Sequence, residues 1–180
     1  MAATARGNAQ AFSGLVDRHA DRVIAFAYNV LGSRSEAEDV SQDVFVTLWQ
    51  KAGEWQPSRG RLTTWLFQIT RNAALNYQQR TRGREVHWHD DPPEVPSNTA
   101  GPEQTAIAND DQRQLDAAIA ALPEQQRSAL ILVVREGLSN RDAAAALDCS
   151  VKALEALLVR ARRQLRSTLN TDVTALDERP

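Results

Sequence analysis

Residues 81–109, TRGREVHWHDDPPEVPSNTAGPEQTAIAN, hold four of the chain's seven prolines and almost no apolar periodicity. A stretch so rich in proline and acid cannot bury enough apolar surface to offset the entropy of ordering it. It reads as a linker. Two small bodies are expected, 1–80 and 110–170, joined by a flexible Pro-rich acidic linker over 81–109 and followed by a tail at 171–180.

The pattern on either side of the linker is helical. Glycine is sparse, at 8 residues, while Ala, Leu, Arg and Gln are abundant, which favours helix throughout. In the first body Phe12, Leu15, Val16, His19, Val23, Phe26, Ala27 and Val30 recur at helical spacing, and Gly32 follows as a stop. Ser35 and Glu38 are read as a capping box for a second helix, whose inner stripe is Ala37, Val40, Val44, Phe45 and Leu48. A loop around 53–60 leads to a third helix. Leu62, Trp65, Leu66, Ile69 and Ala73 form its inward stripe, with Thr64, Gln68, Arg71, Asn72 and Asn76 to one side.

The second body opens with a helix near 110–121, and Pro123 suits the first turn of the next, which is expected to reach about Glu136 before Gly137 breaks it. Ser139 with Asp142 caps a short helix to Leu147. Asp148 sits in a tight turn where a left-handed backbone is expected, and Ser150 caps a last helix to about Leu169. Leu154, Leu158, Ala161 and Leu165 form the buried stripe of that helix; Lys152, Ala156, Val159, Arg160 and Arg163 lie opposite. A short helix, a tight turn and a longer helix with a basic outer face is the helix-turn-helix arrangement. The expected class is therefore all-α: two small helical domains, the C-terminal one a helix-turn-helix.

Charge is distributed more tellingly than its sum of −2 suggests. Residues 61–84 carry five arginines and no acid, together with Trp65, Phe67 and Tyr77. Residues 85–126 hold 9 acids against Arg113 alone, and 127–166 return to 8 bases against 4 acids. Two basic blocks separated by an acidic stretch suggest two contacts with one polyanion. The longest apolar run, Ala129 to Val134, is too short to span a bilayer, and the N-terminus lacks the apolar core of a signal peptide. The single cysteine, Cys149, has no partner in the chain for a disulfide. A cytoplasmic location without membrane insertion is expected. No catalytic or nucleotide-binding fingerprint is present, so no enzyme activity and no cofactor are expected. His87, His89 and Asp90 could bind a transition metal, but in a linker they read as solvated, and no metal site is expected. His19 reads as a core residue.

Four segments carry a resemblance. EAEDVSQDVFVTLWQ (36–50), TTWLFQITRNAALNY (63–77), LPEQQRSALILVVREGLSNRDAAAAL (122–147) and VKALEALLVRARRQLR (151–166) stand in the order and spacing of a bacterial sigma factor. The short form, with two domains and a linker, is similar to the extracytoplasmic-function group of the sigma-70 family. That resemblance implies a factor that binds core RNA polymerase and directs promoter-specific initiation. It implies that Asp39, Gln42, Asp43 and Trp49 dock on the clamp helices of the polymerase β′ subunit, with Trp49 expected to pack in the core. It places −10 promoter DNA, partly single-stranded, against Trp55, Arg59, Arg61, Arg71, Asn72 and Asn76. The −35 duplex falls to Lys152, Ala156, Val159, Arg160 and Arg163. Further implied partners are the polymerase β flap and an anti-sigma factor. Where the family often shows a glycine, a threonine and a basic residue after the turn, this chain has Lys152, Ala153 and Glu155, and Glu155 can accept from cytosine but repels phosphate.

Three rival readings differ in class. A stand-alone helix-turn-helix regulator explains 137–166 but leaves the motifs at 36–77 without a task. A metal-dependent hydrolase would use His19, His87 and His89. An adaptor would grip acidic proteins with its two basic blocks.

Overall fold

The computed structural model describes residues 1–81 and 112–177, without the side chains of Arg59 and 170–177. The linker, and His87, His89 and Asp90 with it, lies outside the described residues. Every regular element among the described residues is helical. In chain order these are α1 (Ala2–Ala5), α2 (Ala9–Leu31), α3 (Arg34–Gln50), a 3-10 turn (Pro57–Arg59) and α4 (Leu62–Thr81). They continue with α5 (112–120), α6 (Glu124–Leu130), a π-helical turn (Ile131–Arg135), α7 (Asn140–Ala146) and α8 (Val151–Asp177).

Helices α2, α3 and α4 pack mutually to form the first body. The apolar stripes anticipated for α2 and α3 supply its core: Leu15, Val23, Ala27 and Val30 meet Ala37, Val40, Val44, Phe45 and Leu48. Asn8 begins α2 by accepting a hydrogen bond from the Ala11 N–H, and Gly32 ends it in the left-handed region at φ 80°. That stop decides where α3 starts. Both Ser33 and Ser35 are followed three residues later by a glutamate. Ser33 stands immediately after the glycine, in extended backbone, and its Oγ accepts from the Glu36 N–H. The N-cap is thus Ser33, two residues ahead of the expected Ser35, and Glu38 pairs with Arg34 at 2.9 Å.

In the second body Pro123 is the N-cap of α6 rather than its first helical residue. The helix reaches Arg135 only by widening: the Glu136 N–H bonds to the Ile131 carbonyl, five residues back, at 3.0 Å. Gly137 then takes φ 65° and the Leu138 N–H closes on Leu132 O at 2.9 Å, satisfying a carbonyl that the helix end would orphan. Ser139 accepts from the Asp142 N–H and donates to its carboxylate at 2.8 Å. Asp148 adopts φ 52°, and Ser150 accepts from the Ala153 N–H, so α8 starts where its cap dictates. Leu154, Leu158 and Ala161 are buried and Leu165 is half-buried beneath α6 and α7. Helix α8 runs past Leu169 to Asp177, so the backbone expected to be a tail at 171–180 is largely helix.

The two bodies share a seam. Phe26 of α2 and Phe67 of α4 belong to the apolar cluster of the second body, with Ala129, Leu132, Leu138, Ala143 and Leu147. Helix α7 lies along α4, and α6 touches α2. This changes which face of α4 is most buried. Leu66 is enclosed as expected, but Trp65, Ile69 and Ala73 are only half-buried, whereas Thr64, Phe67, Thr70 and Ala74 are buried.

Candidate polymerase and nucleic-acid interfaces

On α3, Asp39, Gln42, Asp43, Val46 and Trp49 recur at helical spacing and are all exposed, forming a stripe opposite the buried valines. Its carboxylates crowd one another at the N-terminal end: burial first, and then the neighbouring Asp39, push the Glu36 carboxyl above its ordinary value. Trp49 is not a core residue. It is 38% exposed, because position 49 continues the outer stripe through 42 and 46, and its ring meets Phe12 edge-on at 4.9 Å. Val46, at 53% exposed, was not foreseen as part of this face and gives the acidic stripe an apolar centre.

On α4, Asn72 and Asn76 lie one turn apart in solvent, and Arg61 is exposed just ahead of the helix. Trp55, in the preceding loop, is half-buried, and the Arg59 side chain lies outside the described residues. Arg71 is not free. Its Nε and Nη2 donate to the two carboxylate oxygens of Glu124 at 3.1 and 3.2 Å, and Ser128 Oγ donates to the same carboxylate at 3.0 Å. The six −10 candidates are therefore not equally presented. Tyr77 packs against the first core and Arg80 lies 6.0 Å from its ring centroid.

On α8, Lys152, Ala156, Val159, Arg160 and Arg163 are all exposed, Val159 at 64%. Arg160 is folded back so that its Nε donates to Ala156 O at 3.1 Å. Glu155 shares this outer surface. His19 is buried, and burial first, then Arg22 and Arg18, hold its imidazole below the ordinary value, which keeps it neutral in the core. Cys149 is half-buried against the second-body cluster. Among the described residues no helix is long and apolar enough to cross a membrane.

Two family models match the two bodies in turn: Sigma-70 region 2 over residues 15–84, and Sigma-70, region 4 over 112–165. The sigma factor CnrH of Cupriavidus metallidurans is 30% identical over 95% of this chain and 93% of its own length. The chain belongs to the sigma-70 family, in its extracytoplasmic-function group. It binds RNA polymerase and directs promoter-specific initiation. SigE of Mycolicibacterium smegmatis, an extracytoplasmic-function factor, is 34% identical over 86% of this chain, which spans 60% of the length of that relative. Two solved structures share the fold. CnrH in complex with the cytosolic domain of CnrY has a TM-score of 0.69 at 28% identity, covering 95% of each chain. RpoE with the anti-sigma factor NepR from Bartonella quintana has a TM-score of 0.70 at 27% identity, covering 91% of this chain and 99% of that one. Membership gives the motifs at 36–77 a task that a stand-alone regulator would leave them without.

Proposed function

We propose that this sigma factor divides its work among three helices: α3 docks on the β′ clamp helices, α4 with its preceding loop reads and melts the −10 element, and α8 reads the −35 duplex. The observation that carries the division is the sorting of charge by helix. Asp39 and Asp43 stand in solvent on α3, while the exposed charges at α4 are Arg61 just ahead of it and Arg80 near its end, and most of those of α8 are arginines. An acidic stripe suits a basic coiled coil, because complementary charge steers docking and fixes register. Arginines suit phosphates, and asparagines at 72 and 76 suit base edges exposed by melting. Contacts at both elements then offset the unpairing of the −10 bases, which costs a few kcal/mol for each base unstacked.

The second body would also meet the β flap, so that the linker spans the distance between two anchored domains. An anti-sigma protein is a further partner, supported by the likeness to two factors solved in complex with CnrY and NepR. The docking assignment is tested by charge reversal. Asp39→Lys with Asp43→Lys should weaken capture of core polymerase at least tenfold, while the circular dichroism spectrum stays normal. Unchanged capture with a normal spectrum removes α3 from the interface.

A further inference from the structure

We infer that Glu155 sets the −35 specificity of this chain, by accepting a hydrogen bond from the exocyclic amine of one cytosine in the major groove. The inference rests on the reading of α8 just given, and adds to it the base that this face selects.

Between Val151 and Asn170 the sequence carries five bases, Lys152, Arg160, Arg162, Arg163 and Arg166, and a single acid, Glu155. A carboxylate on a face that must approach phosphates weakens binding to every sequence alike. Local helix chemistry does not call for it. Glu155 is the fifth residue of α8, beyond the first turn in which the helix dipole favours an acid. Lys152 is its only charged neighbour three or four residues away, yet among the described residues no ion pair reaches Glu155. The side chain is exposed.

Its neighbours on the helix surface suit base edges better than water. Val151 and Val159 stand one turn before and one turn after Glu155, on the same stripe, and are 41% and 64% exposed. Ala156, next to it on the outer face, is short enough to let the helix sit close to the bases. Valine methyls suit a thymine methyl or the C5 edge of a cytosine. Base chemistry then fixes what the carboxylate takes. Guanine presents O6 and N7 to the major groove and thymine presents O4; these are all acceptors, and each repels a carboxylate. Adenine sets its N6 amine beside the N7 acceptor, whereas cytosine presents the N4 amine with no acceptor on its own edge. Glu155 therefore ranks cytosine first and adenine second. Arg160 follows five residues later, about 140° round the helix, so the two residues address different sides of the groove.

The test uses holoenzyme assembled from core polymerase and the full chain, on a promoter that it transcribes, with the −35 element randomised and the −10 element fixed. Bound DNA is sequenced for each variant. Wild type should favour cytosine over guanine at one −35 position by roughly five- to 150-fold. Glu155→Gln, whose amide matches adenine N6 and N7, should move that preference to adenine and leave the other positions unchanged. Glu155→Ala should abolish the preference there, and should bind the remaining sequences at least as tightly as wild type, because the repulsion of phosphate is gone. Both variants change an exposed side chain, and their thermal melts should match wild type. An equal gain on all sequences in both variants, with every preference retained, would make Glu155 a mere repellent and overturn the inference. A −35 preference that neither variant moves sinks Glu155 alone. Wild-type holoenzyme with no preference anywhere in the −35 element, while it still discriminates in a parallel −10 library, sinks the reading of α8 and the inference with it.

Discussion

In α8 the arginines at 160 and 163 stand in solvent, whereas in α4 Arg71 is forked onto Glu124 and its neighbour Phe67 is 2% exposed. The two helices look alike as strings: each is basic on one side and apolar on the other. What separates them is the second body, whose α7 packs on α4 and whose Glu124 occupies Arg71, while the outer side of α8 stays bare. Basic charge in a sequence therefore marks a polyanion surface without marking whether that surface is open. Availability is decided by which acids elsewhere in the chain come within reach.

The largest expected effect separates the helices by burial. Phe67→Ala removes an enclosed ring from the seam and should cost about 3–5 kcal/mol in urea denaturation. Val159→Ala, on the open face of α8 and 64% exposed, should stay within about 0.5 kcal/mol. Equal costs would break the comparison. Next is base reading by α8. Arg160→Ala should lose roughly 1–3 kcal/mol and relax preference at one base pair, whereas Arg163→Ala should weaken all sequences alike. Selection of −35 variants with each protein measures both, and an unchanged preference profile for Arg160→Ala would assign the reading elsewhere.

A smaller effect sharpens the role of α4. Asn72→Ala and Asn76→Ala should each cost about 1 kcal/mol in promoter opening, the worth of one net hydrogen bond, and leave duplex binding nearly unchanged. Permanganate reactivity of unpaired thymines reports opening directly; full reactivity in both variants would make the asparagines structural.

The smallest effect concerns pH and belongs to the first body alone. His19 is held below its ordinary value by burial and then by Arg22 and Arg18, so the unfolded chain binds its proton more readily than the folded one. Stability should be full above about pH 6.5 and fall as pH drops towards the folded value. Thermal melts of wild type and His19→Gln should converge in acid, and a parallel pH dependence in the two would locate the acid sensitivity elsewhere.

Much of the architecture is legible because it is set locally. Ser139 with Asp142, the left-handed Asp148 and the Ser150 cap fix the helix-turn-helix through contacts within four residues, and the structure follows them. The start of α3 was ambiguous for the same reason: Ser33 and Ser35 both satisfy the capping pattern, and the left-handed Gly32 decides between them. The π-helical turn has no such local sign. Sequence periodicity could not show that Thr64 and Phe67 are buried, since their cover arrives from α7, beyond the linker. The −10 candidates were chosen by residue type; the pairing of Arg71 with Glu124 and of Arg22 with Glu136 was not foreseen, because each acid lies beyond the linker from its arginine. Trp49 was legible as part of the α3 motif and misread as core; its place on the stripe through 42 and 46 was the available sign.

The central claim is that the three surfaces serve initiation from chosen promoters. Run-off transcription by core polymerase, on templates drawn from the genome that encodes this chain, tests it most directly. Adding the protein should yield discrete transcripts absent with core alone, starting downstream of a shared pair of sequence elements. A transcript pattern identical with and without the protein would contradict the account.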